Sequence, residues 1–158
     1  TMNYIPLSEY PKAWIFRHRD LPVSPEDLEM IRPLTTARAE QVWAQQVSQE
    51  SSHYSHFAKD DWAGQGNTWT ETGSWQGAWD SEDPALPEEL AEFIQWDDNT
   101  TVYFCYAADH VIETNWAVFK RSWKNFLFMD DGPLLIGRKR KEAAQFFETG
   151  QFKLGRRP

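Results

Sequence analysis

The stretch TTVYFCYA, at residues 100–107, is the feature that most restricts how this chain can fold. Its apolar side chains follow one another without a break, whereas a strand with one wet face alternates apolar and polar residues. Residues 100–107 are therefore predicted to form a central strand that is buried on both faces. Residues 108–110 are predicted to turn, and VIET at residues 111–114 is predicted to return as the hairpin partner.

Four other segments have the capping residues or the apolar spacing of helices. Ser24 and Pro25 are suited to begin a short helix that Pro33 ends, and Thr35 is suited to cap the next helix. The second helix carries an apolar face made of Ala39, Val42, Trp43 and Val47. The third and fourth helices are predicted at residues 87–96 and 116–127. Their inward faces place Trp96, Trp116 and Trp123 in the core.

Short apolar runs bounded by turn residues predict three more strands, at residues 12–18, 134–137 and 151–155. Residues 140–150, with the sequence RKEAAQFFETG, are predicted to form a helix that ends at Gly150. Helices and strands mix without a regular βαβ order, which favours an α+β fold with a largely antiparallel sheet and packed helices. A chain of 158 residues suits one domain, residues 1–158, that folds without a cofactor.

The cysteine content and the hydropathy indicate a compartment. Cys105 is the only cysteine, so no intrachain disulfide can form, and this fits a reducing environment. No apolar stretch approaches the roughly 20 residues of a membrane span. Residues 1–14 also lack the apolar core of a signal peptide. The sequence therefore predicts a cytoplasmic protein without a membrane partner.

Charge is distributed unevenly along the chain. Residues 1–116 carry 20 acidic and 6 basic side chains, whereas residues 117–158 carry 4 acidic and 10 basic side chains. We expect the two parts to attract each other within one domain. The net charge of -8 repels phosphate at long range, which makes a nucleic-acid partner an unfavoured hypothesis.

A tryptophan-rich stretch at residues 60–83 supplies the main candidate binding residues. One interpretation is that its rings cover a sheet face that lacks aliphatic side chains, because each ring buries about 150–250 Å². The other interpretation is a groove in which rings and carboxylates together favour a cationic group, such as a basic peptide or protein. The candidate ligand-binding residues are Trp62, Trp69, Trp79, Asp60, Asp61, Asp80 and Asp83, and Trp75 is the fourth ring of the stretch.

The segment HYSHFAKD suggests a different chemistry. If the preceding helix resumes there, His53, His56 and Asp60 lie on one face at i, i+3 and i+7. Two imidazoles and a carboxylate can bind Zn²⁺ or Fe²⁺ and leave positions open for water. The alternative interpretation is two surface histidines that flank a core Phe57.

Two further patterns favour structural interpretations. Cys105 lies near Asp109 and His110, but its position in the middle of a strand predicts a buried and inert thiol. The run GRKRK, at residues 137–141, has the charge to bind phosphate. Because four cations at the start of the predicted helix would oppose its dipole, we expect these side chains to pair with acids in the first part of the chain.

Several longer motifs resemble a known family. They are WDDNT (96–100), VYFCY (102–106), VIETNW (111–116), WKNFLF (123–128) and DDGPLLIG (130–137). Together they are similar to one uncharacterised family of small gamma-proteobacterial proteins, a domain-of-unknown-function family. The resemblance implies a bacterial cytoplasmic protein with no assigned activity, catalytic residue or cofactor. A vaguer similarity, at residues 86–90 and 126–127, is to SUKH-type immunity domains, from which the tryptophan-rich stretch departs.

Three functional hypotheses follow from the sequence. The first is a non-catalytic interaction or ligand-binding module, whose acidic and tryptophan-rich face contacts a basic peptide or protein. The alternative is a metal-assisted hydrolase that uses His53, His56 and nearby carboxylates. A carbohydrate-binding protein with exposed tryptophans is the third. The sequence does not identify a ligand.

Overall fold

The computed structural model describes residues 4–10, 13–17, 23–49, 51, 57, 61–82, 85–127 and 133–157. Its α-helices are α1 (Pro25–Met30), α2 (Thr36–Gln46), α3 (Gln76–Asp80), α4 (Glu88–Phe93) and α5 (Trp116–Phe126). Its strands are β1 (Arg32–Pro33), β2 (Trp69–Ser74), β3 (Thr101–Ala107), β4 (His110–Asn115), β5 (Leu134–Gly137), β6 (Glu142–Phe146) and β7 (Gln151–Arg156). The strands form one antiparallel sheet in the order β1-β4-β3-β5-β6-β7-β2. The α+β fold with a largely antiparallel sheet is confirmed.

Strand β3 lies inside the sheet, between β4 and β5, and its five middle residues are buried. Successive strand side chains point to opposite faces, so Val102, Phe104 and Tyr106 join one core while Tyr103 and Cys105 join another. We name these two sides the α5 face and the α2 face, after the longer helix that packs on each. The prediction that this strand is buried on both faces, with β4 as its hairpin partner, is confirmed.

The predicted helix starts are confirmed by their caps. The Ser24 hydroxyl accepts from the Asp27 backbone N–H at 3.2 Å, and the Thr35 hydroxyl accepts from the Arg38 N–H at 3.3 Å. Each side chain thus satisfies a donor that the first helical turn leaves unpaired. Helix α1 already ends at Met30, however, and Pro33 lies in the edge strand β1 rather than at the helix end.

Helix α5 has the predicted apolar face, and its ends are held by the sheet. The Asn115 side chain accepts from the Val118 N–H at 2.8 Å, which caps the start of the helix. At the other end the Tyr106 hydroxyl of β3 donates to the Phe126 carbonyl at 2.8 Å. Trp116 and Trp123 are buried as predicted, and so is Trp96, which packs edge-on against Trp116.

The strand predicted at residues 12–18 is wrong for the described part of that segment, which forms a short 3-10 helix at Ala13–Phe16. Ile15 and Phe16 are buried there, with the Phe16 ring 5.0 Å from the Phe126 ring. The Asn125 side chain donates to the Ile15 carbonyl at 2.8 Å. The apolar run therefore reflects packing under α5 and not a place in the sheet.

The helix predicted at residues 140–150 is also wrong, because Glu142–Phe146 is strand β6. Ala143 and Ala144 point to opposite faces, and both are fully buried between β5 and β7. Two alanines in a row give no alternation of polarity, so the sequence pattern does not distinguish this strand from a helix. Gly150 does have a left-handed φ of 95°, but it serves the turn between β6 and β7.

The tryptophan-rich stretch contains strand β2 and helix α3. The sequence TWTET enters β2, which pairs with β7 at the sheet edge. The segment after it is helix α3, although glycine and polar residues such as those of this stretch disfavour a helix. Gly77 stands in this helix, and nothing lies within 4 Å of the position that a Cβ would take there.

We predict that Gly155→Ala destabilises the protein by about 1–3 kcal/mol, the usual cost of overpacking a well-packed site. A Cβ at Gly155 would overlap the backbone carbonyl oxygen of Thr68, at the edge of the sheet where β2 pairs with β7. Gly66→Ala is the matched control, since nothing lies within 4 Å of the Cβ it adds. Urea unfolding of both variants measures the difference. Equal midpoints would show that β2 does not approach β7 this closely.

Candidate functional site

The four rings of the tryptophan-rich stretch lie in two pairs on opposite faces of the sheet. Trp62 and Trp69 pack against the α2 face, with ring centroids 6.0 Å apart. Trp75 and Trp79 pack against the α5 face, 5.6 Å apart, and Trp79 also meets Trp123 edge-on. The stretch wraps around the β2 edge, so its rings cover both cores at that edge.

Three of these indoles are also held by hydrogen bonds to the backbone. The Trp62 indole N–H donates to the Gln46 carbonyl and that of Trp69 to the Ala63 carbonyl, each at 2.9 Å. The Trp75 N–H is shared between two carbonyls in the β6–β7 turn region. Buried indoles need such partners, and these bonds fix the ring orientations. This geometry supports the packing interpretation of the stretch.

The acidic candidate residues separate in the same way. Asp61 is buried next to Trp62, whereas Asp80 is exposed at the end of α3 and accepts from the Gln76 amide at 3.2 Å. Asp60 and Asp83 lie outside the described residues. Asp61 and Asp80 are chain neighbours of Trp62 and Trp79, whose rings pack on opposite faces of the sheet.

The predicted metal ligands His53, His56 and Asp60 all lie outside the described residues. Within the part of the chain that the structure describes, no group of three or more His, Cys, Asp or Glu side chains is arranged to hold a metal ion. Cys105 is buried, and burial raises the pKa of its thiol to about 12. The prediction that Cys105 is buried is confirmed, and a raised pKa disfavours the thiolate, which is the reactive form.

A groove of about 780 Å³ on the α5 face is the candidate site that the sequence did not predict. It lies where α1, α4 and α5 approach one another. Its lining is mostly apolar, and it includes Val23, Ala85, Leu86, Ala91 and Ala117. Its charged lining residues are Asp27, Asp98, Lys120 and Arg121. An apolar pocket of this volume with a few converging polar groups is typical of a small-molecule site.

One wall of the groove is an ion pair between α1 and α5. Arg121 donates through Nε at 3.0 Å and through Nη2 at 2.7 Å to the two carboxylate oxygens of Asp27. The Asp27 side chain is 10% exposed and that of Arg121 is 59% exposed. These bonds from Arg121 hold the pKa of the Asp27 carboxyl below its usual range. The fork leaves Nη1 of Arg121 without a bond to Asp27.

A second ion pair lies at the rim of the groove. Lys120 donates to the Asp98 carboxylate at 2.7 Å, and this bond lowers the pKa of Asp98. Both side chains are well exposed, so water and salt weaken their attraction. Lys120 is therefore a cation that another anion at the rim can engage.

Sequence reasoning missed this groove because its charged partners are far apart in the chain. Asp27 and Arg121 are separated by 94 positions, and no periodicity links them. Two local signals did point toward it. Asp27 occupies the capping-box position of α1, and Lys120 and Arg121 stand on α5 away from its apolar face.

Comparison with family models shows that the chain belongs to the family described as "Protein of unknown function (DUF2947)", whose model matches residues 4–155. The match covers most of the chain, so the expected membership of a domain-of-unknown-function family is confirmed. No curated protein and no solved structure matches the chain. None of the described helices is long and apolar enough to cross a membrane.

We predict that Asp27→Asn lowers stability at neutral pH by about 1 kcal/mol, since a charged hydrogen bond to a partly exposed partner contributes about that much. The lowered pKa of Asp27 means that the stabilisation is present above about pH 3.9, the unfolded value. It is lost as the pH falls through the lower folded value. Urea unfolding across this range measures the effect.

Glu29→Gln, an exposed position of the same helix, is the control for Asp27→Asn. It removes a carboxylate for which the described structure shows no ion pair. The wild type and Asp27→Asn are expected to converge in acid, while Glu29→Gln follows the wild type throughout. A stability gap that is unchanged in acid would contradict a role for the Asp27 charge.

Proposed function

We propose that this member of a family of unknown function is a non-catalytic binding module, which holds a small organic anion with an apolar body in the α1–α4–α5 groove. The observation that carries the proposal is the combination of an apolar lining with cations along one wall. Neither feature alone would identify a ligand. Together they match a molecule with an apolar part and a negative group at one end.

The apolar body of the ligand has a place along the α4 side of the groove. Leu86 and Val23 are only partly buried, although both pack against the core of the α5 face. Ala91 is exposed, and Ala85 and Ala117 are small side chains that leave the volume open. A ligand that covers this surface removes apolar area from water, which stabilises the complex by roughly 25 cal/mol per Å². The groove therefore favours a ligand over empty solvent.

The anionic group of the ligand has two donors within the same wall. Nη1 of Arg121 extends beyond the fork with Asp27, and the rest of the guanidinium is held rigid by that fork. Lys120 can exchange the exposed Asp98 carboxylate for a ligand anion at small cost. A carboxylate, sulfonate or phosphate group can accept from both donors, and charge-assisted bonds of this kind are the stronger ones.

The hypotheses drawn from the sequence are separate from this proposal. The metal-assisted hydrolase gains no support from the described residues. The basic peptide or protein partner, the carbohydrate ligand and the cytoplasmic location stay predictions. The gamma-proteobacterial origin and the SUKH-type similarity also stay predictions.

Binding can be tested with decanoate and with the fluorescent probe anilinonaphthalene sulfonate, which both combine an apolar body with an anion. We expect the folded protein to bind the probe and decanoate to displace it, whereas decanol, without the charge, displaces it less well. Lys120→Gln should weaken decanoate binding about fivefold, or about 1 kcal/mol, and leave decanol unchanged. Lys153→Gln, an exposed cation on β7, is the control for charge.

A second pair of variants tests the location. Ala91→Phe fills the groove and should weaken probe binding about tenfold or more. Ala37→Phe places the same ring at an exposed position of α2, outside the groove, and should not change it. Circular dichroism melting confirms that each variant is folded. Equal probe affinity in Ala91→Phe and Ala37→Phe would overturn the proposed site.

A further inference from the structure

The turn between β5 and β6 concentrates positive charge at one place. Arg138, Lys139, Arg140 and Lys141 follow one another between the two strands. The sequence predicts that these residues begin a helix, where the helix dipole would disfavour their positive charges. The structure shows a hairpin turn instead, so no helix dipole acts against these four cations.

The backbone of this turn is strained at one lysine. Lys139 has a φ of 61°, and the Arg140 N–H donates to the Gly137 carbonyl at 3.1 Å, as in a type II turn. Glycine or asparagine normally stands at this position, because a side chain there costs on the order of 1–2 kcal/mol. A lysine at such a position is uncommon, and residues in strained conformations cluster at functional sites.

Arg157 fixes this turn against the end of helix α2. Its Nη1 donates to the Gln46 side-chain oxygen at 2.6 Å, and its Nη2 donates to the carbonyls of Gly137 and Arg140. Burial lowers the pKa of Arg157. Its Nε is buried and has no hydrogen-bond partner among the described residues. The guanidinium is thus held in place beneath the turn.

The cations of this region form no ion pair with the described acids, although the charge of Glu142 acts to raise the pKa of Arg157. No described carboxylate lies within 4.0 Å of Lys139, Arg140, Lys141 or Arg157. The expectation that the basic run pairs with the acidic first part of the chain is therefore not met within the described residues. That pairing does occur on α5, where Lys120 and Arg121 meet Asp98 and Asp27.

Trp62 supplies an apolar wall beside these cations. A pocket of about 460 Å³ is lined by Trp62, Gln45, Gln46, Arg157 and residues 139–141. The Arg157 guanidinium lies 5.9 Å from the Trp62 ring centroid, and the Trp62 indole N–H bonds the Gln46 carbonyl. The ring that one interpretation of the sequence placed on an acidic face thus borders a basic pocket. Gln45 and Gln46 add neutral amide groups at its edge.

We infer that this pocket binds the phosphate groups of a small molecule, such as a nucleoside diphosphate or an inorganic polyphosphate. Several cations that converge on one recess, and that form no ion pair with a described acid, match a ligand with clustered negative charge. The volume suits a molecule of mononucleotide size. The site is separate from the α5-face groove, because it lies beside the end of α2 and the β5–β6 turn.

Lys139→Gly is the decisive variant, because it removes the cation and relieves the strained φ at the same time. Calorimetric titration with ADP and with inorganic pyrophosphate is expected to show binding that weakens as salt is added. Lys139→Gly should weaken both ligands about fivefold, or about 1 kcal/mol, while its melting temperature is equal to or above that of the wild type. Lys153→Gln, on β7, should leave both affinities unchanged.

The two ligands separate the sources of the phosphate. Tighter binding of ADP than of pyrophosphate supports a nucleotide whose ring contacts Trp62, and equal binding supports a site for phosphate alone. No binding of either ligand at millimolar concentration would overturn the inference, as would equal affinity in Lys139→Gly and the wild type. A single-stranded RNA whose affinity rises with length, and exceeds that of ADP, would replace the small molecule with nucleic acid.

Discussion

Burial of the central sheet on both faces is the constraint on which the rest of this structure depends. Strand β3 has five buried residues in a row, with Phe104 turned to one core and Cys105 to the other. A sheet of this kind needs a layer on each side, because apolar side chains left in water forfeit their burial energy. Helices α1, α3, α4 and α5 cover one side, and α2 covers the other together with Trp62 and Trp69.

The tryptophan-rich stretch solves a problem that this arrangement creates at one edge. Helix α2 and helix α5 do not extend over the whole seven-stranded sheet, and β2 forms its last strand. Large rings fill the remaining area on both sides, and backbone carbonyls take their indole N–H groups. The stretch also contacts the β6–β7 turn, where the Trp75 indole N–H donates to the Phe147 carbonyl. Packing at a sheet edge therefore accounts for most of its unusual composition.

The two proposed sites use the uneven charge of the chain in different ways. On the α5 face, acids from the first part of the chain meet cations of α5, and the paired charges form one wall of an apolar groove. At the β5–β6 turn the cations have no such partners among the described residues. A paired wall orients an amphipathic ligand, whereas an unpaired cluster attracts a compact anion. The two sites lie on opposite faces of the sheet and have no lining residue in common.

The sequence by itself determined the elements whose signals are local. Ser24 and Thr35 cap their helices through hydrogen bonds that span three residues. The apolar residues of α5 recur from each helical turn to the next. The uninterrupted apolar run of β3 likewise predicted a buried strand and the burial of Cys105. These features depend on neighbours along the chain, so propensity and periodicity were sufficient to find them.

Only the tertiary structure decided the elements and sites that depend on distant residues. Ala143 and Ala144 favour a helix by intrinsic propensity, and pairing with β5 and β7 made them a strand. Asp27 and Arg121 form the groove wall across 94 positions, and Trp62 meets Arg157 through the docking of α2 on the sheet. No local pattern encodes such contacts, because they exist only after the chain has folded and brought separate faces together.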